Sequence, residues 1–405
     1  MAAFGLSACG SKKSSSSGSS GSSNSNELHI YSSLPLQGAS RGQNLDVQNG
    51  MKLALADAGG KAGKFTVKYT SLDDSTASAG QADDATVGSN ARKAVADPQT
   101  VAYLGDFNSS ATKVSLPILN KAGIAQISPS NTNVGLTTSK PGGDPGAPDI
   151  YYPTGKRNYA RVVPTDDVQG AAIVTAAKAD GCKSIHVWND KQTYGTGLAQ
   201  NIVLAAKKQG VAIEGNDPTD ANVPNYRSLA SKIKTNCFAF AGITAQNAVQ
   251  IFKDVYAHIG PSAKMYGGDG ITDKTFVDPK QKGIPASIGA HVKITQAGLP
   301  ADKQPPSGQA VYKRFSKTYH ESNPDAYSIY GYEVMALALD AIKRAGDKGN
   351  DRAAVVQALF NTKSRNSVLG TYSLDPNGDT SLKAMGLYVI KGGALKLDKV
   401  IKFTG

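Results

Sequence analysis

Short apolar runs alternate along the chain with longer segments in which apolar residues return every three or four positions. The first run, Leu28 to Ser33, predicts a strand, and Gln43 to Ala58 predicts a helix whose inner face carries Val47, Met51, Ala54, Leu55 and Ala58. Phe65 to Leu72 reads as a second strand, Gln81 to Ala96 as a helix halted by Asp97-Pro98, and Val101 to Leu104 as a third strand. Ser109 to Lys121 reads as a helix despite Pro117, with Ile124 to Ser128 as the strand after it. Thr137 to Lys156, rich in Gly and Pro, is a loop of a length usually tied to function or mobility.

Beyond Arg161-Val162-Val163-Pro164 the alternation starts again. Helices over 167–179, 195–209, 226–235 and 245–258 interleave with strands over 184–188, 211–214, 238–241 and 264–267. A strand follows over Gly289 to Thr295, then helices over Gln309 to Tyr319, Tyr327 to Arg344 and Asp351 to Phe360. Strands over Gly370 to Leu374 and Ala384 to Ile390 flank an Asn377-Gly378 turn, since Asn-Gly adopts positive φ at little cost. Strand–helix alternation marks an α/β fold with parallel sheets. Two such series, with late segments that must return to both, predict two lobes crossed several times, which is the architecture of a hinge.

Composition narrows the function. At 405 residues the chain is long enough for two or three domains. Hydrophobic residues at 40% and charged residues at 19% are globular values. No run nears the ~20 apolar residues of a spanning helix, which excludes a multi-pass membrane protein. The 44 Lys and Arg against 32 acids give a net charge of +12. The lysines are scattered and not interleaved with aromatics, so no nucleic acid is expected as a partner, while a basic surface facing an anionic envelope is.

Leu6-Ser7-Ala8-Cys9-Gly10 resembles the lipobox of bacterial lipoproteins, which would make Cys9 a lipidated residue behind a signal remnant at 1–9. Residues 10–26 are dominated by serine and have nothing to bury, so they read as a flexible tether. Cys182 and Cys237 each stand just before a strand-like run. If those strands are neighbours in a parallel sheet, both cysteines lie at one edge within reach of a disulfide; two buried free thiols are the other reading. Such a bridge would stabilise by on the order of 4 kcal/mol. Cys/His metal-ligand spacings are absent, and no metal or cofactor is expected.

Several stretches then fall in a familiar order. They are Leu34-Pro35-Leu36-Gln37-Gly38, Asn49-Gly50-Met51-Lys52-Leu53-Ala54, Leu72-Asp73-Asp74, Gly105-Asp106-Phe107-Asn108-Ser109-Ser110-Ala111-Thr112, Ser128-Pro129-Ser130-Asn131-Thr132, Asp190-Lys191-Gln192-Thr193-Tyr194-Gly195 and Gly267-Gly268-Asp269-Gly270. Together they resemble the type I periplasmic solute-binding proteins, specifically the branched-chain amino acid (Leu/Ile/Val) binding family of ABC transporters. The resemblance implies two doubly wound parallel-sheet lobes joined by a three-segment hinge. The first lobe would take 27–162 plus 294–369 and the second 163–293 plus 370–405.

The chemistry of the residues agrees with it. A zwitterionic ligand needs donors for its carboxylate and an anion for its ammonium. Ser109 and Ser110 stand at a predicted helix start, where free N–H groups and the dipole favour an anion, and Ser130 and Thr132 follow the next strand in the same way. By resemblance Ser109, Ser130 and Thr132 hold the carboxylate, Asp269 pairs with the ammonium, and Tyr194 closes over the ligand from the second lobe. Each also has a plain structural reading: helix cap for Ser109, turn residues for Thr132 and Asp269, surface aromatic for Tyr194. Asp106 and Asn108 are rim or capping groups. Arg41 departs from the family pattern and either meets an acidic ligand group or faces solvent, and Ile243 stands where an aromatic is common.

The expected protein is a monomeric extracytoplasmic lipoprotein, anchored on the outer face of a bacterial membrane, that captures an amino acid or similar solute for an ABC permease and its ATPase. Signalling through a receptor is the alternative. An enzyme is the third reading, and its motifs are incomplete: Gly60-Lys61-Ala62-Gly63-Lys64 lacks phosphate-loop spacing, Gly195-Thr196-Gly197 lacks a third glycine, and no nucleophile elbow occurs.

Overall fold

The computed structural model describes residues 1–2, 26–77 and 79–403; Cys9 and tether residues 10–25 lie outside the described residues. The chain runs β1 (Glu27–Leu34), α1 (Arg41–Asp57), β2 (Lys61–Ala62), β3 (Phe65–Asp73), α2 (Asp84–Ala96), β4 (Thr100–Gly105), α3 (Ser109–Lys121), β5 (Ala125–Ser128) and β6 (Tyr159–Arg161). Then come α4 (Asp166–Ala179), β7 (Ser184–Asn189), α5 (Thr193–Gln209), β8 (Ala212–Pro218), α6 (Arg227–Ala230), β9 (Cys237–Ala241), α7 (Ala248–Ile259) and β10 (Lys264–Gly267). Two short helices, α8 (Lys274–Val277) and α9 (Ala286–Gly289), precede β11 (Val292–Gln296), α10 (Pro306–Tyr319), α11 (Ser328–Arg344) and α12 (Arg352–Phe360). The chain ends in β12 (Arg365–Ser367), β13 (Gly370–Tyr372), β14 (Ala384–Lys391) and β15 (Ala394–Lys402).

Two sheets define two lobes. The first is ordered β2-β3-β1-β4-β5-β6 and the second β15-β14-β11-β10-β9-β7-β8. Pairing is parallel except at β2, β14 and β15. The expected α/β architecture with two parallel-dominated lobes is therefore what the chain adopts. In the first lobe α1 and α11 carry Val47, Met51, Val334, Met335 and Ala338 into one apolar core with Ile30, Leu104 and Ile127 of the strands. In the second, Trp188 packs edge-on against Phe238, and Phe252 makes edge-to-face contacts with both Phe238 and Phe276.

The chain crosses between lobes three times: after β6, after β11 and after β13. Two expected boundaries shift. Val292–Gln296 pairs with β10 on one side and β14 on the other, so the second crossing falls after Gln296 and not at 293/294. The expected return to the second lobe is at 370, but Tyr372 and Leu374 are buried in the first-lobe core, which moves the third crossing beyond them. The reason is the turn. Asn377-Gly378 does not join two paired strands; β13 pairs with β12, and β14 with β15. Gly378 (φ +93°) instead lies against β6, its carbonyl accepting the Arg161 N–H, and a Cβ there would sit 2.1 Å from the Tyr159 carbonyl oxygen.

β7 and β9 are direct parallel neighbours, and Cys182 and Cys237 are joined by a disulfide with Cα atoms 6.1 Å apart. The bridge closes a separation of 55 residues. Reduction should lower the stability of the second lobe by roughly 2–4 kcal/mol, read as an earlier urea midpoint with dithiothreitol than without. An unchanged midpoint would show that the cross-link carries no stability.

Candidate functional site

The carboxyl ends of the strands in both sheets face one another across the lobe boundary, where open α/β sheets bind ligands. There a small cavity of about 30 Å³ is bounded from the first lobe by Phe107, Asn108, Ser109, Ser130, Thr132 and Tyr327, and from the second by Tyr194, Ile243, Asp269 and Gly270. It has room for a water or two and none for a side chain, so the lobes stand close together here. The structure thus gathers Ser109, Ser130, Thr132, Tyr194 and Asp269, the residues expected to hold the ligand, with Asn108 and Ile243 beside them. Ser110, one position on and about 100° around α3 from Ser109, does not line the cavity. Nor does Arg41, which is exposed at the start of α1.

One end of the cavity presents hydroxyls. Ser109 opens the 13-residue α3, whose positive end favours an anion, and its Oγ accepts the Asn133 N–H at 3.4 Å. Ser130 Oγ donates to the Phe107 carbonyl at 2.7 Å, so its proton must swing away before it serves an incoming carboxylate. Thr132 is buried on a loop fixed by its neighbours. Asp166, at the start of α4, gives its N–H to the Thr132 carbonyl at 2.8 Å. Burial raises the Asp166 carboxyl well above the usual carboxylate range.

The opposite end presents an anion. Asp269 accepts the Tyr194 hydroxyl on Oδ1 at 2.8 Å and the Tyr327 hydroxyl on Oδ2. Burial pushes its pKa up, and the two phenols work against that rise by stabilising the carboxylate. Each oxygen keeps a second lone pair, so an ammonium can be added without displacing either tyrosine. Gly268 permits the approach, since a Cβ there would stand 2.3 Å from the Tyr194 hydroxyl. Tyr327 belongs to the first lobe and Asp269 to the second, so this carboxylate bridges the closed interface.

Sequence reading missed two residues that organise the site. Tyr327 registered only as the start of an apolar helix. Arg161 registered only as the end of a segment, yet its side chain is fully buried. Nε donates to Asp379 Oδ1 at 2.7 Å, Nη1 to the carbonyls of Asn131 and Asn133, and Nη2 to Thr137 Oγ1. It thereby ties the Thr132 loop to the third crossing. A lone arginine inside an otherwise apolar strand was the available signal.

The lobes also touch away from the cavity. Asn133 Nδ2 donates to the Thr193 carbonyl at 2.8 Å, and Lys140, from the long loop, pairs with Asp167 at 2.8 Å. A second interlobe space, about 840 Å³, lies beside α10 and is lined by Thr272, Gln296, Tyr312, Asp325 and Tyr388 among others. Gln43 Nε2 links both lobes there, reaching Thr272 Oγ1 at 3.1 Å and Asp325 Oδ2 at 3.2 Å.

Burial pushes Asp325 up to about 7; the carboxylates of Asp46 and Asp273 reinforce the rise, and the Tyr327 N–H and Gln43 amide oppose it. The folded state therefore holds a proton that the unfolded chain releases at lower pH, and stability contributed by this group falls as pH rises toward about 7. Asp325→Asn should lose less melting temperature than the wild type between about pH 5 and 7. Superimposable pH profiles would remove Asp325 as the source.

Two lobes with a hinged crevice, hydroxyls at one end and a buried carboxylate at the other, define a binding protein that closes around a small solute. The sequence profile of the periplasmic binding protein family matches residues 31–394, and the chain belongs to that family. Its members are binding proteins and not enzymes, and they work outside the cytoplasm. No helix among the described residues is long and apolar enough to cross a membrane. A Leu/Ile/Val-binding protein homolog 1 of Brucella suis is 25% identical over 372 residues, 89% of this chain and 90% of the relative. An amino acid binding protein of Pseudomonas aeruginosa is 26% identical over 306 residues, 74% of each chain. Among solved structures, a leucine binding protein from Thermotoga maritima superimposes with a TM-score of 0.78 at 20% identity, covering 93% of this chain and 99% of that one.

Proposed function

We propose that the protein captures an amino acid of the branched-chain class between its lobes and delivers it to an ABC importer, tethered to the outer face of the membrane through lipid on Cys9. The observation that carries the ligand class is the pairing of opposite polarities across one cavity: Asp269 with its two phenols facing Ser109, Ser130 and Thr132. A zwitterion matches both ends, whereas a sugar leaves the buried carboxylate without a cation and a simple carboxylic acid leaves it facing nothing. Phe107 and Ile243 provide the apolar wall that an aliphatic side chain requires. Its size requires the lobes to stop short of the closure seen here, since the present cavity of about 30 Å³ holds no isopropyl group. The similarity to Leu/Ile/Val-binding relatives supports the same class.

A thermal-shift series with leucine, isoleucine, valine, small polar amino acids and the matching deaminated carboxylic acids tests this reading. The aliphatic amino acids should raise the melting temperature and the acids lacking an ammonium should not. A shift from the acids alone would overturn the zwitterion assignment.

A further inference from the structure

A groove of about 680 Å³ lies on the first lobe at the edge opposite the cleft. Its floor is apolar, made by Val356 and Phe360 of α12 with Ala122 just past α3. Its rim holds three cations, Lys121, Lys156 and Arg157, and no acidic residue lines it. The arginine is held in place: its guanidinium lies 4.1 Å from the Tyr152 ring centroid, and the buried Nη1 has no acceptor in hydrogen-bonding geometry. Two helix carboxyl ends that would repel an anion here are already met by other cations. Arg352 Nη1 donates to the Ala122 carbonyl at 3.3 Å, and Arg344 Nη1 donates to that of Ala358. A stacked planar guanidinium beside two exposed ammonium groups suits a phosphate, and the adjoining apolar floor suits the hydrocarbon attached to it.

Position selects the occupant. β1, β4, β5 and β6 are parallel, so they all begin at this edge, and the groove abuts the starts of β5 and β6. The chain enters β1 at Glu27 on the same side, and the serine-rich segment and the expected lipid-bearing Cys9 precede that point in the sequence. This positional step rests on the anchoring reading given above. We propose that the groove binds the headgroup of an anionic phospholipid, with the phosphate on Lys121, Lys156 and Arg157 and the glycerol–acyl portion against Val356 and Phe360. Between delivery events the protein would then rest with this edge on the bilayer and its cleft facing outward to receive solute.

The test uses the full chain carrying Cys9→Ser, so that no anchor contributes, in co-sedimentation with vesicles of phosphatidylcholine with and without phosphatidylglycerol at low ionic strength. Binding should require phosphatidylglycerol. The triple substitution Lys121→Gln, Lys156→Gln and Arg157→Gln should reduce partitioning by about tenfold or more. Lys207→Gln, Lys208→Gln and Lys232→Gln together remove the same charge from the second lobe and should leave it nearly unchanged. Equal losses from both triples would mean that net charge alone drives adsorption and would overturn the proposal, as would failure to bind the anionic vesicles. Amino-acid titration of the groove variant checks that the fold and the cleft are intact; it also separates failure of the groove from failure of ligand capture, which involves none of these residues.

Discussion

Asp269→Ala is expected to weaken amino-acid binding by about 10- to 150-fold. The loss follows from the energy of a charge-assisted hydrogen bond in a buried site, about 1.5–3 kcal/mol, which the ligand ammonium would lose. Truncation also leaves the buried Tyr194 and Tyr327 hydroxyls without this acceptor, so the variant's fold is checked beside its affinity. Asp269→Asn separates charge from shape, because the amide occupies the same space against Tyr194 and Tyr327 without the charge. Affinity in the wild type should also fall as pH drops and the carboxylate takes its proton. Calorimetric titration reads all three effects; unchanged affinity in both variants would remove Asp269 from the ligand.

Arg161→Met should cost about 3–5 kcal/mol of stability. The arginine is completely buried and serves four acceptors, so its loss leaves Asp379 Oδ1 and the carbonyls of Asn131 and Asn133 without this donor, and Asp379 keeps the Thr137 hydroxyl on Oδ2. Breaking a buried pair from one side is the expensive case, and adding Asp379→Asn to Arg161→Met should recover part of the loss. Arg161→Lys should rescue only weakly, because a single ammonium cannot replace a planar fork that donates in three directions. Ligand affinity should drop as well, since the loop carrying Thr132 loses its fastening. A urea midpoint within about 1 kcal/mol of wild type would contradict this account of the hinge.

Regular elements were largely legible because local patterning decides them. α3 spans the predicted Ser109 to Lys121, Pro117 included, and the disulfide was readable from two cysteines placed before strands that turned out to be neighbours. Where distant partners decide, the pattern misled. The helix expected over 226–235 shortens to Arg227–Ala230, because Glu214 of β8 draws the Lys234 and Thr235 N–H groups to its carboxylate. The Asn377-Gly378 turn has hairpin chemistry but is used to pack against β6.

The site divides the same way. Ser109, Ser130, Thr132, Tyr194 and Asp269 all stand just past strand ends or at helix starts, positions that strand–helix order exposes in one dimension. Tyr327 lies 58 residues from its partner Asp269, and Arg161 lies 218 from Asp379; nothing local announces either pairing. Ser110 and Arg41 failed for the converse reason. Residue type and neighbourhood were suitable, but the helical phase of one and the exposure of the other point them away from the cavity.

Small-angle scattering with and without a saturating amino acid, chosen from the thermal-shift hits, addresses the central claim most directly. A solute gripped between hinged lobes should contract the particle, taking it from a radius of gyration larger than that of the closed arrangement to one close to it. A profile that stays the same on addition of an amino acid shown by calorimetry to be bound would contradict capture by lobe closure.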